Sequence, residues 1–542
     1  MEKKTHIIKP FENESPCSYA ERLGLFYSSM VTDEHKKDNG QFFTPISVAN
    51  FMSSFGKTDK ENIKILDPGC GIGILSTALT ESLLKNCKNL KIIELVAFET
   101  DTQILPYSEL CLEYLRLWLS KQNIEFTFFL CKNDFILHNS SVLNSESERH
   151  LEEYDIVISN PPYFKLAKND ERIKIAQSVI YGQSNIYSIF LIISAKLLKE
   201  NGQLLLITPR SFCSGSYFRV FRETFFLLVD LKTIHLFNSR KSTFKKDNVL
   251  QENLIIEATR KRKIEKNQIA LSLTFESQLT ISSSETIDDI NTRKISKYDI
   301  SNLINFNSYQ KILHLPVNKT DQKIIKIFKN WTGSLKLYGL EISTGPVVDF
   351  RTVEWIKLKP SKNTVPLFWL HNVDSMNLIW PRNKGYRGKD KGQHIILDKI
   401  SIARLVKNKN CILVRRFSTK DDNRRLIAAP YLKQFSSDKE FIGIENHLNY
   451  IYDKEKDLTS DVALGLSALL NSKIFDLYFR TFNGNINVSA TELRDFPLPD
   501  FNLIKIVGNK IESCIESNKE YDIDELVSEV FNLKIDLSKV YE

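Results

Sequence analysis

The 542-residue sequence contains no apolar run of membrane-spanning length, and its first residues, MEKKTHIIKPFENES, include no apolar stretch of the kind a secretory signal needs. A membrane-embedded or exported protein is therefore not expected, and a cytoplasmic location is. Cysteine is scattered: Cys17, Cys70, Cys87, Cys111, Cys131, Cys213, Cys411 and Cys514 form no CxxC pair and have no histidine at zinc-ligand spacing. Reduced thiols and no bound metal are the expectation. The hydrophobic fraction of 42% and charged fraction of 26% exclude a fibrous or disordered chain. The length exceeds what one hydrophobic core usually supports, so two domains are expected. A net charge of +8 is compatible with a polyanionic partner without identifying one.

From about residue 60 to 260, short β-rich runs alternate with helical patterns, which predicts an α/β domain with a doubly wound, mostly parallel sheet of seven strands. The strand candidates are Ile63–Leu66, Ile92–Phe98, Phe126–Cys131, Ile156–Ser159, Gln203–Thr208, Lys232–Leu236 and Leu254–Ala258. Leu75, Leu79 and Leu83 recur at helical spacing beside Ala78 and are read as core. The pattern fails between about 260 and 300, where Arg260-Lys261-Arg262-Lys263 precedes a polar stretch with Ser282-Ser283-Ser284 and Asp288-Asp289. The boundary is placed there, giving domains 1–262 and 263–542. The second reads as irregular up to about residue 500, with turn signals such as Thr344-Gly345-Pro346, and as helical over the last forty residues.

The first strand runs into Asp67-Pro68-Gly69-Cys70-Gly71-Ile72-Gly73 and then a helix. Glycines let the backbone approach a ligand and adopt positive φ. An acid at the strand tip ahead of GxGxG, rather than the GxGxxG that seats a pyrophosphate, suits a sulfonium cofactor with an amino acid tail. The second strand ends in Glu99-Thr100-Asp101, placing carboxylates where a ribose diol can be gripped. Glu99 is preferred and Asp101 is the rival. After the third strand, Asp134 is an acceptor for the amino group of the cofactor's adenine and Phe135 a flat contact beside its ring.

The fourth strand leads into Asn160-Pro161-Pro162-Tyr163. Consecutive prolines stiffen the backbone and aim its carbonyls. The N6 nitrogen of adenine is a poor nucleophile because its lone pair is conjugated with the ring. Hydrogen bonds to the Asn160 oxygen and the Pro161 carbonyl favour a pyramidal nitrogen that can attack a methyl group. Such a base must leave the duplex and be held between flat side chains. Tyr163 is read as one wall and Phe244 as the other. A tight turn is the ordinary alternative for the tetrad, and core packing for Phe244.

In order and residue type, these segments resemble the gamma-class amino-methyltransferases of restriction-modification systems, of which the TaqI modification methylase is the familiar example. The resemblance implies S-adenosylmethionine as cofactor, double-stranded DNA as substrate and a C-terminal α+β target-recognition domain. It adds Thr44 and Pro45, in Gly40-Gln41-Phe42-Phe43-Thr44-Pro45, as cofactor contacts, and likens Thr208-Pro209-Arg210-Ser211-Phe212 to the family's sixth motif. Gly69 departs from a frequent alanine, and Asn487 from its counterpart. The C-terminal half resembles modification enzymes of the BsuBI and PstI kind. That resemblance rests on Ser343 to Arg351, Val414 to Ser418 with Arg424-Arg425, Glu445 to Tyr450, and Asn483 to Pro499. The same tetrad occurs in enzymes that methylate glutamine in release factors or adenine in ribosomal RNA, and a non-catalytic DNA-binding subunit is the alternative from another class. The C-terminal half favours DNA. No PD...(D/E)xK nuclease constellation is found, so a separate restriction endonuclease is the expected partner of a monomeric methylase. Basic residues interleave with aromatics in the second domain, and Arg382, Arg415, Arg416, Arg424 and Arg425 are expected to face DNA.

Overall fold

A computed structural model describes residues 8–41, 43–143, 153–182, 185–238, 252–262, 277–382, 391–418, 422–484, 486–533 and 535. The chain divides into two compact units, Met1–Leu313 and His314–Glu542.

All seven expected strands form in the first unit: β1 Asn62–Pro68, β2 Ile92–Phe98, β3 Glu125–Cys131, β4 Tyr154–Ser159, β5 Leu198–Pro209, β6 Val229–Phe237 and β7 Asn253–Arg260. Two more, β8 Gln278–Ser284 and β9 Lys294–Asp299, extend the sheet. It therefore has nine strands rather than seven, in the order β3-β2-β1-β4-β5-β7-β6-β8-β9. The strands from β3 to β5 run parallel, β7 is antiparallel to β5 and β6, β8 is parallel to β6, and β9 closes the edge antiparallel. The strand order reverses between β1 and β4. Loops leaving their carboxyl ends diverge there, and the crevice between them is where open sheets of this type hold ligands.

The extra strands move the boundary from residue 262 to 313. Ser282 and Ser284 read as loop residues, but their hydroxyls are satisfied inside the sheet. His235 on β6 lies opposite Ser282, with its Nδ1 2.9 Å from Ser282 Oγ and its Nε2 3.2 Å from Ser284 Oγ. Partnered hydroxyls can be buried at little cost. Burial, helped by the nearby Arg293, pushes His235 down to about 3, so the ring is neutral.

One face of the sheet carries a core in which Leu75, Leu79 and Leu83 meet Ile65, Ile93 and Ile207, joined by Leu23 of helix Pro16–Met30 and Met52 of helix Ile46–Ser53. The first of these helices is fixed at its start by Ser15, whose side chain accepts from the Ser18 N–H, and by a proline in its first turn. Leu204 and Leu206 alternate to the opposite face and are equally buried. Helix Ile186–Lys196, apolar almost all round, packs on β5.

The second unit is more regular than its sequence suggests. One sheet pairs Leu340–Thr344, Leu448–Asp453, Cys411–Arg415 and Ala428–Tyr431 in that order, and another is built around Thr364–Phe368 and Phe441–Ile444. Helices Ser460–Asn471 and Phe501–Glu516 cross at Gly465 and Gly508, where a Cβ would lie 2.0 Å from the Ile504 oxygen and 1.8 Å from the Asp461 oxygen. No single helix among the described residues is long and apolar enough to cross a membrane.

Candidate active site

Three glycines shape the turn after β1. Gly69, Gly71 and Gly73 have φ of 74°, 55° and 95°, a region that side chains with a Cβ adopt only with strain. The turn opens a cavity of about 310 Å³, at the small end of ligand-site volumes of roughly 300–1,000 Å³. Thr44, Gly69, Gly71, Glu99, Asp134, Phe135, Asn160 and Pro162 from the sequence reading all line it. Pro45, Asp67, Gly73, Pro161 and Tyr163 are not among the lining residues.

The two rival acids separate cleanly. Glu99 faces the cavity and is held by three backbone N–H groups, from Gly71 at 3.1 Å, Thr100 at 2.7 Å and Asp101 at 2.8 Å. Burial raises its pKa against the pull of those donors. Asp101 instead ties down the N-terminal segment: its Oδ2 accepts from Tyr27 Oη at 2.6 Å and Gln41 Nε2 at 2.6 Å, and lies 2.8 Å from His35 Nε2. Burial works to raise Asp101, but these bonds outweigh it and hold the carboxyl below its usual range. Asp67 sits behind the loop, its Oδ2 taking the Ser76 hydroxyl at 2.6 Å and its Oδ1 buried without a partner among the described residues. Burial raises it to about 7.

Asp134 caps a short helix through the N–H groups of Ile136 and Leu137, and turns its other oxygen to Arg172 at 3.2 Å. Phe135 packs between Phe98 and Phe190. At the end of β4, Asn160 Nδ2 donates to Thr44 Oγ1 at 3.0 Å, and the Asn160 Oδ1 takes the hydroxyl of Tyr163. Tyr163 is buried, its Oη also 3.0 Å from the Ile207 carbonyl oxygen, and it is not among the residues that line the cofactor cavity. Phe244 lies outside the described residues. Sequence reasoning missed Gln41, Asn133, Phe164, Arg172 and Phe190, which also line the cavity. Phe164, adjacent to the tetrad, was in reach; Arg172 arrives only through the turn capped by Asp170, which spacing does not signal.

Comparison with known proteins identifies the family. Residues 79–244 match the Eco57I restriction-modification methylase family. The Type II methyltransferase M.BsuBI of Bacillus subtilis is 33% identical over 506 residues, covering 92% of this chain and 95% of its own. The chain belongs to the Type II methyltransferases of restriction-modification systems. M.PstI of Providencia stuartii is 30% identical, over 93% of this chain and 95% of its own. Among solved structures, a class I S-adenosylmethionine-dependent methyltransferase of Listeria monocytogenes superposes with a TM-score of 0.38 at 18% identity, over 52% of this chain and 77% of that one. The cofactor of this methyltransferase is S-adenosylmethionine. The cavity fits it. The cofactor is cationic and rich in donors, and the walls offer Glu99, Asp134 and the Gln41 Oε1, which is buried without a partner among the described residues.

In the second unit of the methyltransferase, the arginines expected on DNA are mostly engaged. Arg415 donates to the Val373 carbonyl and Asp374, both at 2.6 Å, and Arg382 to the His371 carbonyl and Asp374. Arg424 pairs with Asp524 at 3.2 Å. Arg425 does not face solvent: it is 1% exposed, donating to Ser418 Oγ at 3.0 Å and Asn483 Oδ1 at 2.9 Å. The apolar sequence around it, Leu426 to Ala429, carries it into the core, where Ser418 and Asn483 accept from its N–H groups. Arg416 is half-buried and donates to the Asn446 carbonyl at 2.9 Å.

Proposed function

We propose that this methyltransferase transfers a methyl group to the exocyclic N6 of adenine in double-stranded DNA, with the target base flipped out of the duplex. The first unit carries out the chemistry and the second reads the target sequence. The protein acts as a monomer, with its cognate restriction endonuclease on a separate chain.

The observation that carries this reading is the Asn160 side chain at the mouth of the cofactor cavity, with its amide orientation set by Thr44. Because Nδ2 is committed to Thr44, Oδ1 is fixed as an acceptor. That oxygen, which also takes the Tyr163 hydroxyl, is the atom proposed to accept from a substrate amino group. Together with the rigid Pro161 carbonyl, it would draw the N6 hydrogens into place and favour a pyramidal, nucleophilic nitrogen. Preorganised acceptors of this kind act without reorganisation during the reaction. The bound cofactor supplies a methyl group on a sulfonium. Glu99 would hold its ribose hydroxyls, Gln41 its ammonium group, and Asp134 with Phe135 its adenine. Phe244 is proposed as a wall for the flipped base.

Mass spectrometry of nucleosides from DNA of expressing cells tests the reading. N6-methyladenine is expected with the wild type and none with Asn160→Ala, while calorimetry shows cofactor binding retained. Methylcytosine alone, or full activity in the variant, would overturn it.

A further inference from the structure

Glu445 is 0% exposed at the end of strand Phe441–Ile444, yet its carboxylate serves a partly exposed neighbour. One oxygen accepts from the His447 backbone N–H at 3.0 Å and the other meets the His447 Nδ1. A buried carboxylate is costly to desolvate unless it is paired, and burial raises this one above the usual carboxylate range against the pull of His447. What the arrangement secures is a single imidazole in a fixed orientation. Nδ1 is taken by Glu445, so Nε2 is the ring atom left for an outside partner, and the His447 side chain is 43% exposed.

The support beneath is tight. Strand segments close so nearly that a Cβ on Gly345 would lie 2.3 Å from the Glu445 carbonyl oxygen, and Asn446 N–H donates to the Val347 carbonyl at 2.9 Å. The loops that meet at this edge bring cations and aromatics together. Phe417 packs 5.0 Å from the His447 ring, and Arg416 lies over Phe417. The turn Asp349–Arg351, just beyond Val347, leaves Phe350 70% exposed with Arg351 over its ring. Arginine, aromatic faces and an imidazole nitrogen form a surface that pairs with phosphate, stacks and hydrogen-bonds, complementary to a nucleic acid with its polar base edges.

We propose that the Glu445–His447 loop is a sequence-reading element: the Glu445 carboxylate accepts the Nδ1–H of His447, the tautomer this pairing selects makes Nε2 an acceptor, and an exocyclic amino group on a base edge, adenine N6 or cytosine N4 in the major groove, is the fitting donor. The assignment rests on the reading of the second unit as the one that recognises DNA. It differs from Arg382, Arg415, Arg424 and Arg425, whose side chains are engaged within the protein.

The test uses the full chain. Methylation-sensitive sequencing of DNA from expressing cells defines the wild-type motif; His447→Ala, His447→Gln and Glu445→Gln are then compared with it, with thermal melts to verify folding. His447→Ala is expected to relax the motif at one base pair, and to lower affinity for a duplex carrying the motif by about 5- to 150-fold while leaving a scrambled duplex unaffected. Glu445→Gln should shift the same base pair, and adding it to His447→Ala should change discrimination no further, since it acts through the imidazole. An unchanged motif in folded His447→Ala and His447→Gln overturns the assignment. So does equal loss on both duplexes with a shallower salt dependence, which makes His447 a phosphate contact. A wild type that leaves DNA unmethylated overturns the function itself, a result distinct from either.

Discussion

Asp101→Asn removes one charge and almost no volume, which makes it a sharp test of how the N-terminal wall of the cofactor cavity is held. Oδ2 receives Tyr27, His35 and Gln41, and Oδ1 receives the Gln103 N–H at 2.9 Å. A hydrogen bond to a charged acceptor is worth about 1.5–3 kcal/mol and one between neutral groups about 0.5–1.5 kcal/mol, so discharging an acceptor of four donors costs about 4 kcal/mol. The new amide nitrogen must also face a donor on one side or the other. For a unit of this size the loss corresponds to a fall in melting temperature of about 5–10 °C. Because Gly40, Gln41, Phe43 and Thr44 line the cavity, cofactor affinity falls with it. The depressed pKa of Asp101 sets the sign of the pH effect: its contribution is complete above the unfolded carboxyl value near 4 and is lost as pH falls through the lower folded value. The variant lacks that acid-side loss. Hydrogen exchange across residues 33–41, read with thermal melts and cofactor calorimetry, measures all three effects. Unchanged exchange and melting in the variant would refute the assigned role of Asp101 as the latch.

Glu99→Ala is expected to weaken cofactor binding at least tenfold by calorimetry, with the melting temperature of the cofactor-free protein little changed; equal affinity would place the ribose elsewhere. Arg425→Ala, which empties a buried cationic site, should destabilise the second unit by about 3–5 kcal/mol in denaturant melts, whereas a surface DNA contact would leave stability intact. Asp67, raised to about 7 by burial, keeps in the folded state a proton that the unfolded chain releases near pH 4. Stability therefore declines as pH rises from about 4 to 7, by up to about 4 kcal/mol, and Asp67→Asn should flatten that part of the pH–stability curve.

The first unit was legible wherever a local pattern has one physical meaning. Seven strands fell where β-rich runs predicted them, and Leu75, Leu79 and Leu83 took the core position that their spacing implies. The glycine turn, Glu99, Asp134 and Asn160 converge on one cavity because each lies at the carboxyl end of a parallel strand, a relation that chain order alone encodes. Distant pairing was not legible. Ser282 and Ser284 look like loop residues until His235 is placed beside them, and the choice between Glu99 and Asp101 depended on Tyr27, His35 and Gln41 folding back onto one of the two. The arginines of the second unit illustrate the same limit, since Asp374, Asp524 and Asn483, which engage them, lie about forty to a hundred residues away in the chain.

The nine-stranded sheet has a practical consequence for dissecting the molecule. Ending a fragment at residue 262, where the charge pattern invites the cut, would remove β8 and β9 and leave β6 as a bare edge with Ile234 and Leu236 losing their cover. His235 would keep its ring and lose both serine hydroxyls. Unpaired edges of this kind recruit other chains. In the intact sheet the outer position belongs to β9, whose Lys294 and Lys297 face outward on a mostly exposed strand, so the same two strands that hide the domain boundary also supply the charged rim that discourages edge-to-edge association.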